Sequence, residues 1–213
     1  MKKVIVFFVC GLVCTVNLVA QIRRNDARGQ VQLGAKLGLN LSNVYDEKGQ
    51  DFVADSKLGL AGGLFLRLPL SEFVGLQPEV LLSQKGFVAT GSLFNSSYSI
   101  TRTSNFIDIP LLVSVKPFGF LTLLAGPQFS YLVKQSNVFK NGTTTILQQK
   151  EFDNDNIRKN ILCFTGGFDI NVQHVVVGAR AGWDFQNNHG DGVSDTPRYK
   201  NAWYQITFGY RLY

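Results

Sequence analysis

The chain is poor in the residues that most chemistry needs. Its 213 residues include three cysteines, two histidines, two tryptophans and one methionine. Cys10 and Cys14 lie within the first 20 residues, so Cys163 stands alone in the rest of the chain and excludes an intramolecular disulfide there, even in an oxidising compartment. Two histidines, His174 and His189, offer no metal-ligand spacing, and no lipase elbow or Gly-rich phosphate loop occurs. After residue 20 no apolar run is long enough for a spanning helix. The charge is not of one sign either: 21 Lys and Arg against 15 Asp and Glu give a formal +6, but the cations are scattered and alternate with apolar residues. Scattered cations exclude the clustered footprint that nucleic-acid binding needs. There is no repeat of solenoid period and no low-complexity linker, so the length suits one domain.

What is present begins with an export signal. Met1-Lys2-Lys3 is a basic start, the run from Val4 to about Val19 is apolar, and Leu18-Val19-Ala20 puts a small residue before Gln21. That order describes a secretory signal peptide over residues 1–20, followed by one domain over 21–213. The run is short for an uncleaved anchor and contains Asn17. The residues before Cys10 and Cys14 do not form the small-residue box of a lipoprotein signal.

Past the signal, apolar residues recur at every second position. From Val31 to Ser42, Leu33, Ala35, Leu37, Leu39 and Leu41 share one face, whereas Gln32, Lys36, Asn40 and Ser42 share the other with two glycines. A period of two is a strand, because a helix would mix the two sets. The same alternation predicts strands over 58–68, 73–85, 106–116, 120–133, 161–172, 175–185 and 204–212, eight in all. Each is about as long as the roughly 9–11 tilted residues that cross a bilayer as strand. Links between them alternate in length. Pro69–Glu72, Pro117–Gly119 and Gln173-His174 are tight turns, while 43–57, 86–105, 134–160 and 186–202 are long and rich in Asn, Ser, Thr, Asp and Gly.

These features predict an all-β fold: an eight-stranded antiparallel up-and-down transmembrane β-barrel with long outer loops and short periplasmic turns. An even strand count sets both ends of the barrel on the short-turn side. Aromatics sort into two bands, as interfacial girdles do: Tyr131, Trp183, Phe185 and Tyr204 near the long loops, and Phe73, Phe118, Phe120, Tyr210 and Tyr213 near the turns. Pro78, Pro110 and Pro127 fall inside strands of a closed barrel, where a missing N–H predicts local bulges or breaks in the ladder. The rival is a soluble lipocalin-like ligand-binding barrel, which would send Leu33, Leu37 and Leu41 inward.

Several stretches also resemble a known family. Gly34 to Ser42 (GAKLGLNLS), Leu76 to Gly86 (LQPEVLLSQKG), Ile107 to Leu112 (IDIPLL), Ala125-Gly126-Pro127 and the aromatic end of the chain resemble the PorT-like outer-membrane β-barrel proteins of Gram-negative bacteria. The resemblance implies an outer-membrane barrel with no agreed activity, and a family named for a member linked to protein secretion and maturation. The strand prolines belong to the resembling pattern. The C-terminal assembly signal departs from it, because the outward set ends at Leu212 rather than at Tyr213.

The inward face supplies the remaining expectations. Lys36, Arg67, Glu79, Lys85, Asp108, Lys116, Asp169, Arg180, Asp184 and Arg211 share it, and an eight-stranded lumen is only wide enough for side chains to fill. Buried charges must pair, so a salt-bridged plug is expected, with a narrow pore or small cavity as its alternative. No catalytic, cofactor-binding or metal-binding residue and no cofactor is expected. His189 with Asp191 and Ser194 would serve a lipid-modifying outer-membrane hydrolase, the enzymatic alternative. Asp153-Asn154-Asp155-Asn156 offers oxygen ligands but lacks the Gly and distal Glu of a calcium loop, and Asn95 and Asn141 match glycosylation sequons. Expected partners are outer-membrane lipid, the barrel-assembly machinery, and envelope or secretion proteins met through the outer loops. Nucleic acid is not among them, and a monomer is expected.

Overall fold

The structure, a computed structural model, describes residues 30–45, 53–93, 96–140, 158–188 and 199–212. Eight strands form one closed antiparallel barrel in chain order: β1 (Gln32–Tyr45), β2 (Val53–Pro69), β3 (Val74–Leu93), β4 (Ser96–Phe118), β5 (Leu121–Lys140), β6 (Asn160–Val172), β7 (Val175–Asp184) and β8 (Lys200–Arg211). The closing seam runs from Gly34↔Arg211 to Tyr45↔Lys200. Closure gives every strand a paired neighbour on both sides and leaves no free sheet edge for lipid to solvate.

Both faces fall as the alternation predicts. Lys36, Asn40 and Ser42 are buried in β1, while Leu37 between them is 74% exposed. The same inversion runs around the wall, with Leu58, Leu60, Leu82, Tyr204, Ile206 and Phe208 all turned outward. A lipocalin arrangement needs the opposite. An apolar exterior around a charged interior suits a barrel whose solvent is lipid. The aromatics bracket this band. Phe73, Phe118, Phe120 and Tyr210 are exposed beside the tight turns, and Tyr131, Trp183, Phe185 and Tyr204 toward the other end. Tyr213 lies outside the described residues, as does the signal segment.

One expectation is narrowed and another needs correction. The strand prolines cause breaks, not bulges. Pro78 keeps Leu111 as its partner on β4 but falls in a pairing gap against β2. Pro110 keeps Gln128 on β5 and lies in a gap against β3, while Pro127 keeps Phe164 on β6 and lies in a gap against β4. Register is the same on both sides of each gap, so each proline costs pairing on one side only. The bulges occur elsewhere, between Ser56 and Ala61, Asn105 and Phe106, and Val115 and Phe118.

The correction concerns residues 86–105, expected as a long loop. Residues 86–93 and 96–105 are strand, paired from Gly86↔Thr103 to Leu93↔Ser96. β4 and β5 likewise continue to Ser99↔Lys140, whereas β5 and β6 stop pairing at Tyr131↔Asn160. The β3–β4–β5 wall therefore projects beyond β6. Ser- and Thr-rich composition mimicked a loop. Phe87 and Ala89 on β3 and Ile100 on β4 nevertheless keep period two, and they form a buried cluster with Val44 and Tyr199.

On the opposite rim, the turn between β6 and β7 is Gln173-His174, and Gln173 has φ 50°. That left-handed backbone suits the twist of a two-residue hairpin but crowds a Cβ. Gln173→Gly is expected to stabilise the barrel by about 1 kcal/mol, read as a higher urea midpoint for loss of the folded, heat-modifiable band. A lower midpoint would mean that the Gln173 side chain holds the turn. Its backbone carbonyl, which accepts from Arg211 Nη2, is unaffected by the change.

Candidate functional site

The lumen gathers the chain's polar residues into a layered network. Its hub is Glu79 on β3. Lys36 Nζ on β1 lies 2.8 Å from Glu79 Oε1, and Arg180 on β7 reaches both carboxylate oxygens at 2.7 and 2.9 Å. Gln77 Nε2 donates to the same carboxylate at 2.8 Å. Three strands are thus tied across the lumen at one carboxylate, which is nearly fully buried. Charge-assisted, bidentate contacts of this kind are the strong class of hydrogen bond.

Below the hub, toward the tight turns, Arg67 Nε donates to Gln77 Oε1 at 2.8 Å, and its Nη1 to Gln32 at 3.1 Å. Asp169 sits 3.5 Å from both Arg67 and Arg180, and Asn171 donates to Thr122 Oγ1 at 3.0 Å. Above it, Asn40 links Ser83 and Gln205 at 2.9 Å each. Higher still, Lys85 pairs with Asp108 at 3.0 Å, and Ser130 donates to Asp108 at 2.6 Å. Cys163 Sγ donates to Asp184 at 3.1 Å, and Asp184 also accepts from the Asn201 backbone N–H at 3.0 Å.

Rings fill the space between the charged layers. Lys85 lies 3.6 Å above the Trp203 ring and 5.1 Å from Phe106, and Lys36 is 4.8 Å from Phe65. Both large rings face a glycine directly across the ladder, Phe65 opposite Gly34 and Trp203 opposite Gly182. A Cβ at either glycine would lie 2.4 Å from the ring. The glycines are where the wall makes room for an aromatic plug.

Nine of the ten charged residues read as inward are buried, and Arg211 is half-buried at the rim. Arg102 was missed because it stood in the expected loop. It is buried near the long-loop end, donates to Asn137 Oδ1 at 2.9 Å and to Tyr199 Oη at 2.5 Å, and shares its face with Ile100 and Ser104. That shared parity was the available signal. The cavity beside it, between Phe106, Leu132, Asn188 and Tyr199, holds only about 10 Å³, room for at most one water. Among the described residues no cluster of three His, Cys, Asp or Glu is placed to hold a metal. His174 sits in its turn with Nδ1 3.3 Å from Arg211 O, ring-stacked on Tyr210. His189, Asp191, Ser194, Asp153 to Asn156, Asn95 and Asn141 lie outside the described residues.

Chemically, this arrangement locks strands together and fills the interior, and among the described residues of the lumen it sets no nucleophile beside a base in an open cleft. No curated protein matches the chain. Among solved structures it is similar to the attachment invasion locus protein Ail of Yersinia pestis, at 12% identity over 85% of this chain and 98% of that one, with a TM-score of 0.44. It is similar to Neisserial surface protein A at 8% identity, covering 84% and 96% with a TM-score of 0.47. For the outer membrane protein OprG of Pseudomonas aeruginosa the figures are 11%, 88%, 100% and 0.40. The model of the outer membrane protein beta-barrel domain matches residues 19–190, most of the chain, and the protein belongs to that outer-membrane family.

Proposed function

We propose that this protein is a non-enzymatic scaffold of the outer membrane, closed to free diffusion, that presents its outer extension to other envelope proteins. The observation that carries this reading is the β3–β4–β5 extension, which continues to Leu93↔Ser96 and Ser99↔Lys140, well beyond the end of β6. Paired strands hold a surface in one shape, so a partner meets a preorganised face and loses little ordering entropy on binding. Recognition residues commonly sit on segments positioned by a rigid framework. The outward face of the extension carries Val88, Thr101, Thr103 and Val138, a mixed surface suited to protein contact. The PorT-like resemblance favours partners of the secretion or envelope-assembly type. The third outer loop, with Phe152, Lys150, Arg158 and Lys159, extends the same rim in sequence.

Photo-cross-linking from Val88 and Thr101 in whole cells tests this. Discrete cross-linked envelope proteins are expected there and not from Val177 on the lipid face. Replacing residues 88–101 with a two-residue turn is expected to leave a heat-modifiable barrel but remove the partners of the rest of the rim. Deleting 140–156 asks the same of the third loop. Cross-links from Thr103 and Val138, which both variants retain, that survive both changes would remove the binding reading. An altered lipid profile in His189→Ala, read by mass spectrometry, would replace it with the hydrolase.

A further inference from the structure

The barrel's outer wall is not uniform. Two of its bulges flank the β3–β4 pair: β2 carries one extra residue between Ser56 and Ala61, and Val133 is the extra residue of β5 opposite Asn105 and Phe106. Between them the lipid-facing surface is hollowed into an apolar groove of about 730 Å³, with Leu37, Leu60, Leu82 and Val133 among its walls. Its floor is Gly62, which stands in register between Leu37 on β1 and Leu82 on β3, so a missing side chain makes the hollow. The volume falls within the roughly 300–1,000 Å³ of small-molecule sites.

The groove also has a polar end. Gln84 Nε2 donates to Asn105 Oδ1 at 3.1 Å, a partly buried amide pair on the outward face. Lys134, the register partner of Asn105, follows Val133 in the chain and is exposed. A cation and two amides at one end of an apolar trough match an amphiphile with an anionic head. Tyr131 of the upper aromatic band lies three residues before Lys134, which places the polar end at the membrane interface. We propose that this groove is a specific binding site for one anionic lipid of the surrounding leaflet. Its acyl chain would lie over Gly62 between Leu37 and Leu82, and its phosphate against Lys134 and the Gln84–Asn105 amides.

The test uses the full chain in nanodiscs of equal phosphatidylglycerol and phosphatidylcholine, transferred to mild detergent and weighed by native mass spectrometry. One retained phosphatidylglycerol is expected, at least tenfold over phosphatidylcholine. Gly62→Phe fills the trough, and the first atom its Cβ meets is the flexible tip of Leu37, so the barrel accommodates it. It is expected to abolish retention; Gly62→Leu serves if the Phe variant loses its heat-modifiable band. Lys134→Gln is expected to keep a bound lipid but lose the preference for phosphatidylglycerol, and Val177→Phe on another part of the wall to change nothing. Equal retention of the two lipids by the unaltered protein, or undiminished retention in both Gly62 variants, would overturn the proposal.

Discussion

Glu79→Ala is expected to destabilise the barrel by about 3–5 kcal/mol, more than Arg180→Ala does, because it strands two buried cations at once. In the folded protein Glu79 takes contacts at 2.7–2.9 Å from Lys36 and Arg180. Without it, Arg180 retains only the 3.5 Å contact to Asp169, and Lys36 is left against the Phe65 ring at 4.8 Å. Arg180→Ala is the milder loss, since Glu79 keeps Lys36 and Asp169 keeps Arg67 at 3.5 Å. Urea unfolding in liposomes, followed by the fluorescence of Trp183 and Trp203, measures the order of the two. An equal or smaller loss for Glu79→Ala would mean that water reaches the hub. The companion is Lys36→Met, Glu79→Leu and Arg180→Met together. Replacing a buried ion cluster by apolar groups of similar volume is often neutral or better, so the triple variant is expected to recover most of the loss. If it folds stably but with altered strand register, the network's role is to specify pairing rather than to strengthen it.

That hub was legible in the sequence because a strand's period is two. Once Leu33, Leu37 and Leu41 are assigned to lipid, Lys36 is forced inward, and the same step places Glu79, Asp169 and Arg180. Parity gives the face but not the partner. Which of the inward carboxylates meets Lys36 depends on strand tilt and on the three bulges, none of which alternation encodes. The bulge at Val133 is hidden for that reason: Leu132 and Val133 are both apolar, and nothing marks which one is extra. Prolines mark the breaks in the ladder correctly but not the bulges, because the register never shifts at them. The outer extension was lost for a compositional reason. Serine and threonine serve strands as well as loops, and where Thr101 and Thr103 form the outward face the hydrophobic contrast that marks a strand fades, although Phe87, Ala89 and Ile100 keep the other face buried. Arg102 went with it. The lipid-facing groove was beyond sequence altogether, since it depends on Gly62 standing between Leu37 and Leu82 on neighbouring strands.

The filled lumen leads to a second large effect, an absence of conduction. Ions that cross a barrel need a continuous wet path, and here each level of the interior is occupied. Arg67, Gln77 and Asp169 close the lower part, Lys36, Glu79 and Arg180 the middle, and Lys85, Asp108 and Trp203 the level above. The upper cavity admits a single water at most. Opening a path would require breaking the Glu79 contacts and leaving charges without either water or a partner, a cost of several kcal/mol that lowers the open population by a factor of hundreds or more. Purified protein in planar lipid bilayers is therefore expected to give no steady single-channel current, while Glu79→Ala, by loosening the middle level, is expected to give brief, small openings. Steady, large currents from the unaltered barrel would overturn this and make the charged lumen a conducting pore. Brief openings confined to Glu79→Ala would identify that one carboxylate as the bolt that holds the interior shut.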